Sequence, residues 1–141
     1  MAQRTEIAPE GTGLPTLIFE GTVFSGKGEG KKFITLPWVK EQIEAKLGFS
    51  PFPGTLNLRL TQESTQRKGQ LKTAETADIT PQAGYCRGLL IKAQISNMDG
   101  AIVLPQIPDY PQDVLEVIAA VCLREKLKLA DGDGVAVCVS V

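Results

Sequence analysis

The sequence predicts a mainly β domain, a small barrel with one main helix. Three observations predict it. Short alternating or apolar stretches recur along the chain. Turn residues separate them, and only one long stretch carries a clear helical period. A doubly wound sheet needs repeated helices between its strands, and they are missing. With 141 residues, 43% of them hydrophobic, the chain has the size of one domain and enough apolar content for a core.

Residues 1–13 read as a polar, flexible tail, and 14–141 as a single domain. "TLIFEGTVF" (16–24) is strand-like, and "SGKGEGKK" (25–32) reads as a glycine-rich loop. The main helix is "PWVKEQIEAKLG" (37–48). Val39, Ile43 and Leu47 recur every four residues, Pro37 suits a first turn, and Gly48 sits where a helix stops. "TLNLRL" (55–60) alternates and predicts a strand. Its entry, "GFSPFPG", has Pro51 and Pro53 to fix φ and Gly54 to permit an angle that side chains forbid. Residues 61–84 are polar and read as an irregular excursion with room for a short strand. "RGLLIKAQI" (87–95) and "AIVLPQ" (101–106) are strands, with "NMDG" between them as a hairpin turn. "VLEVIAAVCL" (114–123) is apolar for most of its length, so its period alone does not choose between helix and strand. "LREKLKL" (123–129) fits one or two helical turns. "DGDG" (131–134) turns the chain into a last strand, "VAVCVSV".

Bulk properties exclude several functions. No run approaches the ~18 apolar residues of a membrane span, and the N-terminus lacks the apolar centre of a signal peptide. A cytoplasmic protein with no membrane partner is expected. The net charge of −1 argues against a general nucleic-acid binder, which gains much of its affinity by neutralising phosphates. Cys86, Cys122 and Cys138 match no metal spacing and read as buried, reduced thiols. There is no histidine, which removes Ser-His-Asp and Cys-His catalysis and the zinc metallopeptidase motifs. Chemistry must rest on carboxylates, lysine, arginine, hydroxyls, backbone groups or an oxygen-bound metal.

Four features could carry such chemistry. Gly26, Gly28 and Gly30 alternate in a loop with Lys27, Lys31 and Lys32, a pattern that fits either a solvated turn or an anion cradle. It matches neither the Walker A loop nor the dinucleotide fingerprint. Thr55 and Asn57 lie two apart on one strand face, as neutral oxygen donors for Mg2+ or as groups satisfied by nearby backbone. Glu116, inside an apolar run, is either solvent-facing or poised in a cleft. Arg124 follows and could grip a phosphate. "DGDG" is not an EF-hand loop, whose twelfth ligand would fall past the last residue.

In their order, "GTVFSGKGEGKKF", "LGFSPFPGTLNLRL" and "LEVIAAVCLREKLKLADGD" resemble the CTP-dependent riboflavin kinases of archaea. The resemblance implies a six-stranded cradle-loop barrel of the RIFT-related type. It implies transfer of the CTP γ-phosphoryl group to the 5′-hydroxyl of riboflavin, giving FMN and CDP, with Mg2+ as cofactor. Carried onto this chain, the nucleotide would meet Gly26, Lys27, Gly28, Glu29, Gly30 and Lys31, with Val121, Cys122, Leu123 and Arg124. Thr55 and Asn57 would hold Mg2+. Glu116 would contact the flavin, orient its ribityl chain and accept the hydroxyl proton. Backbone groups of 121–124 would select cytosine. A monomer with no nucleic-acid partner is expected, and a chain of 141 residues is expected to be too short for the N-terminal winged-helix domain of some members. Two departures stand out. Pro108 occupies the position of a family threonine, so one flavin contact is lost or taken over by Tyr110. Ala120 replaces a usual proline. A kinase for another small alcohol and a nucleotide- or flavin-binding module without turnover are the alternatives.

Overall fold

The computed structural model describes residues 16–140; the expected tail at 1–13 lies outside them. Seven strands run in chain order: β1 (Thr16–Phe24), β2 (Leu56–Leu60), β3 (Ala77–Ile79), β4 (Gly88–Ile95), β5 (Met98–Pro105), β6 (Val114–Ala119) and β7 (Gly134–Ser140). Six of them close a barrel in the order β4-β5-β6-β2-β1-β7, with β7 returning to β4 through Gln94↔Cys138 and Ile95↔Val137. Every pairing is antiparallel. β3 pairs with the other end of β4, from Ala77↔Leu90 to Ile79↔Gly88. Closure leaves the six barrel strands without a free edge, which is how a small β domain avoids edge pairing.

Side-chain alternation divides the buried residues into two groups. Phe19, Leu58, Ile91, Ile102, Leu115, Val117 and Val137 fill the barrel. A second cluster lies outside the barrel wall, where Leu90, Ala101, Val103 and Ile118 meet Ile34, Val39 and Ile43 of two helices. These helices are α1 (Glu29–Ile34) and α2 (Pro37–Leu47). The period-four prediction for α2 is correct, as are its Pro37 start and its Gly48 cap. β6 is buried on both faces in its second half, so the strand carried no period-2 signal.

Several expectations need correction. The glycine loop does not extend to residue 32: from Glu29 the chain is helical, because Phe33 and Ile34 are drawn onto the second cluster. In the β4–β5 hairpin, Ser96 and Asn97 form the turn with positive φ of 50° and 69°, while Met98 and Asp99 already belong to β5. The 61–84 excursion is more regular than expected. It forms α3 (Gln62–Arg67), a 3-10 segment (Lys68–Thr73) and β3. Thr61 caps α3 through its side chain, accepting from Ser64 N at 3.1 Å, and buried Ser64 accepts from Glu20 N at 2.8 Å. An α3 whose buried residue is a serine offers no apolar period to read. Cys86 is exposed rather than buried, and Cys122 and Cys138 are half-buried. Among the described residues no helix is long and apolar enough to cross a membrane.

Replacing Ile102, fully buried in the barrel, by alanine should cost about 2–5 kcal/mol. Loss of the exposed Lys40–Glu44 pair through Lys40→Ala should cost less than about 0.5 kcal/mol. Urea midpoints of the two variants would check the contrast.

Candidate functional site

The outer face of β2 and β6 carries the polar residues that the sequence singled out. Leu56, Leu58 and Leu60 point into the barrel, so Asn57 and Arg59 point out. Leu115, Val117 and Ala119 point in, so Glu116 shares the outward face of Ile118. The register sets Asn57 opposite Glu116. Thr55 lies just before β2, and its hydroxyl donates to Asn57 Oδ1 at 2.9 Å. The strand entry works as its prolines suggest. Gly54 has φ of +143°, and the Phe52 amide donates to Ala119 O at 2.8 Å, carrying the β2 entry along the end of β6.

The glycine segment lies directly on this face. A Cβ on Gly26 would come within 2.6 Å of Asn57 Nδ2. One on Gly30 would stand 2.5 Å from Thr55 Oγ1 and 2.8 Å from Glu116 Oε1. Both approaches are closer than any side chain permits, which gives these two glycines a steric reason beyond turn formation. Gly28 has φ of +84° and opens α1, and Lys27, Glu29 and Lys31 are exposed around it. Thr55, Asn57, Glu116 and the glycine segment are therefore one constellation.

Beside it lies a small, mostly apolar pocket of about 80 Å3. Val121, Cys122, Leu123 and Arg124 form one wall, and Phe52, Thr55 and Leu56 another. Thr55 thus joins the pocket to the polar face. α4 (Leu123–Lys126), a single turn, begins at this wall. Arg124 does not extend freely into solvent. Its guanidinium donates to Asp131, and at 3.3 Å to Ser25 Oγ, whose hydroxyl in turn reaches Asp131 at 3.0 Å. The "DGDG" turn, read from sequence as only a turn, thereby ties the pocket wall to the start of the glycine segment.

The third part is the 106–113 connection. Tyr110 folds back and its hydroxyl donates to Glu116 Oε2. Burial first, then the hydrogen bond and charge of Glu116, push the Tyr110 hydroxyl far above its ordinary value of 10.0, so it remains a neutral donor. Glu116 Oε1 is the carboxylate oxygen nearest Gly30. Pro108 is exposed. One neighbour escaped the sequence reading: half-buried Lys68, whose ammonium sits 5.4 Å from the Tyr110 ring centroid. It is one of two lysines in the polar 61–84 segment, and nothing in that segment marks it as inward.

The donor set fits a hard divalent cation. An octahedral Mg2+ ion with ligands at ~2.1 Å sets adjacent ligands about 3 Å apart, and Thr55 Oγ1 and Asn57 Oδ1 stand 2.9 Å apart. Among the described residues no group of three Asp, Glu or Cys could hold a metal, so neutral oxygens would need charge from a ligand's phosphates.

The hydrogen bonds from Arg124 and Ser25 hold the Asp131 carboxyl below its ordinary value of 3.8. A depressed value means that the tie is intact above the ordinary carboxylate range and is lost as pH falls through the folded value. A carbon-13 NMR titration of the side chain should place Asp131 below 3.8, and Arg124→Ala should raise it back toward that figure.

Comparison with known proteins places the chain in a family. A family model labelled CTP-dep_RFKase, described as "Domain of unknown function DUF120", matches residues 23–139. A protein named "Riboflavin kinase" from Archaeoglobus fulgidus is 40% identical over 126 residues, covering 86% of this chain and 54% of that protein. Its namesake from Methanosarcina mazei is 39% identical over 124 residues, covering 85% and 55%. Another, from Ignicoccus hospitalis, is 39% identical over 124 residues, covering 85% and 69%. The chain spans about half the length of the first two relatives. Matched from the end of β1 into β7 and across every part of the polar face, the chain belongs to the CTP-dependent riboflavin kinase family labelled CTP-dep_RFKase.

Proposed function

We propose that this chain transfers the γ-phosphoryl group of CTP to the 5′-hydroxyl of riboflavin, yielding FMN and CDP. The observation that carries the reading is Gly30. There the glycine segment approaches Thr55 and Glu116 so closely that a nucleotide cradle and an acceptor carboxylate share one surface. Relatives in the same family bear the name riboflavin kinase.

In this reading, backbone amides of 26–31 receive the phosphates, with Lys27 and Lys31 adding positive charge at the rim. Cytosine sits against 121–124, where main-chain groups can match its donors and acceptors. Thr55 and Asn57 are the residues that would hold Mg2+, which neutralises phosphate charge when bound. Glu116 turns Oε1 toward the glycine segment while Tyr110 occupies Oε2. The acceptor hydroxyl forms the new P–O bond, the bond between the γ-phosphorus and the β–γ bridging oxygen breaks, and CDP leaves with that electron pair. Glu116 takes the hydroxyl proton. Phosphoryl transfer demands mainly positioning and charge stabilisation, so the lack of histidine is no obstacle.

Exposed Pro108, which offers no hydrogen-bond donor on the acceptor loop, favours a second reading: the same transfer to another small alcohol. The purified chain incubated with riboflavin, Mg2+ and each nucleoside triphosphate should form FMN with CTP. Nucleotide binding without FMN would turn attention to an acceptor screen.

Two sets of variants check the residue roles. Asn57→Ala should lower turnover at least about 100-fold and raise the Mg2+ requirement. Glu116→Gln should lower kcat by a similar factor and leave CTP affinity within about threefold. Initial rates at varied Mg2+ and equilibrium CTP titrations separate these effects; wild-type kinetics in either variant would remove that residue from the mechanism. For Gly30→Ala, the added methyl must displace the Thr55 and Glu116 side chains from their places beside α1, so CTP affinity should fall about tenfold or more while the melting temperature changes little. Calorimetric CTP titration and a thermal scan measure both.

A further inference from the structure

Lys68 opens the 3-10 segment after α3 and lies over the Tyr110 ring. Its ammonium donates to Val114 O at 2.8 Å and to Gln112 O at 3.3 Å. The reason for a cation there lies in the sheet. β5 and β6 pair from Gly100↔Ala119 to Val103↔Glu116. Continuing that register would set Pro105 opposite Val114, and proline has no N–H to give. Residues 106–113 leave the sheet at this point, and a side chain from another segment supplies the missing donor.

Lys68 therefore touches the acceptor loop at Gln112 O and the face of the Tyr110 ring, and the start of β6 at Val114 O. Burial lowers its pKa, while the nearby charges of Asp113 and Glu116 act in the opposite direction. Half-buried lysines held by backbone carbonyls and an aromatic face are uncommon surface features, because the ammonium gives up water for them.

We propose that Lys68 is the positioning residue of the acceptor half of the site, fixing the 106–113 loop so that Tyr110 orients Glu116 toward the alcohol that receives the phosphoryl group. The inference rests on the function proposed above and adds to it a residue in a segment that the nucleotide does not need. Lys68 acts through Tyr110 and Glu116. Its loss should therefore weaken the flavin and spare the nucleotide.

Lys68→Met keeps the side-chain length and removes the donors; Lys68→Arg keeps charge and donors. For the full chain and both variants, the KM for riboflavin, the KM for CTP and kcat would be measured with Mg2+, together with riboflavin binding by flavin fluorescence. Lys68→Met should raise the riboflavin KM and Kd about tenfold with the CTP KM within about twofold, and Lys68→Arg should recover most of the loss. Unchanged flavin constants in Lys68→Met, or equal weakening of riboflavin and CTP, would overturn the inference. If the unsubstituted chain forms no FMN from riboflavin with CTP, the functional reading fails instead. Flavin binding then decides the role of Lys68: a tenfold loss in Lys68→Met supports it, and equal binding, or no binding by the unsubstituted chain, overturns it.

Discussion

The close approach of α1 to the barrel wall governs everything else in this molecule. Gly30 brings a helix backbone against Thr55 and Glu116 at distances that leave no space for a methyl group. That approach is secured from the other end of α1, where Ile34 joins Val39 and Ile43 of α2 over Leu90, Ala101, Val103 and Ile118. Apolar burial on one part of the wall thus holds a polar constellation together on the next. The second cluster has a mechanical role as well as a share in stability, because loosening it would lift the glycine segment from the carboxylate.

Around this contact, three connections that are remote in sequence are locked by polar groups. Ser25, Arg124 and Asp131 join the glycine segment, the pocket wall and the turn before β7. Being exposed, this triad contributes little to folding free energy. Its value is geometric, since it fixes where the pocket wall stands relative to the glycine segment. Tyr110, Glu116 and Lys68 do the same for the acceptor loop, in a half-buried setting where hydrogen bonds are stronger and unpaired groups cost more. One network begins at Ser25 in the glycine segment, and the other ends on Glu116, whose Oε1 lies beside Gly30.

Much of this was legible in the residues. Alternation in 55–60 sets which side chains face out, so spacing alone pairs Thr55 with Asn57 on one face. α2 announced itself through its period, its proline and its glycine. Two features resisted. α1 was hidden because glycine and lysine dominate its first turn, and its helicity depends on Phe33 and Ile34 finding apolar partners on β4–β6 and α2. β6 was ambiguous because burial on both faces erases period 2. The excursion at 61–84 looked irregular for a related reason: Thr61 caps α3 locally, Ser64 and Lys68 bond to distant backbone, and buried Leu71 anchors the 3-10 segment without an apolar stripe.

By itself, then, the chain's order of residues determined the strand-rich class, the main helix and the exclusion of histidine chemistry, which are local properties written in spacing and residue type. The grouping of the glycine segment, Thr55, Asn57, Glu116 and 121–124 came from the resemblance to a family. Only the tertiary structure decided that Gly30 lies against Glu116, that Arg124 is held by Asp131, and that Tyr110 bonds Glu116 with Lys68 over its ring. Each of those contacts depends on barrel closure, which brings segments distant along the chain within hydrogen-bonding reach, and no local pattern encodes the distance between them.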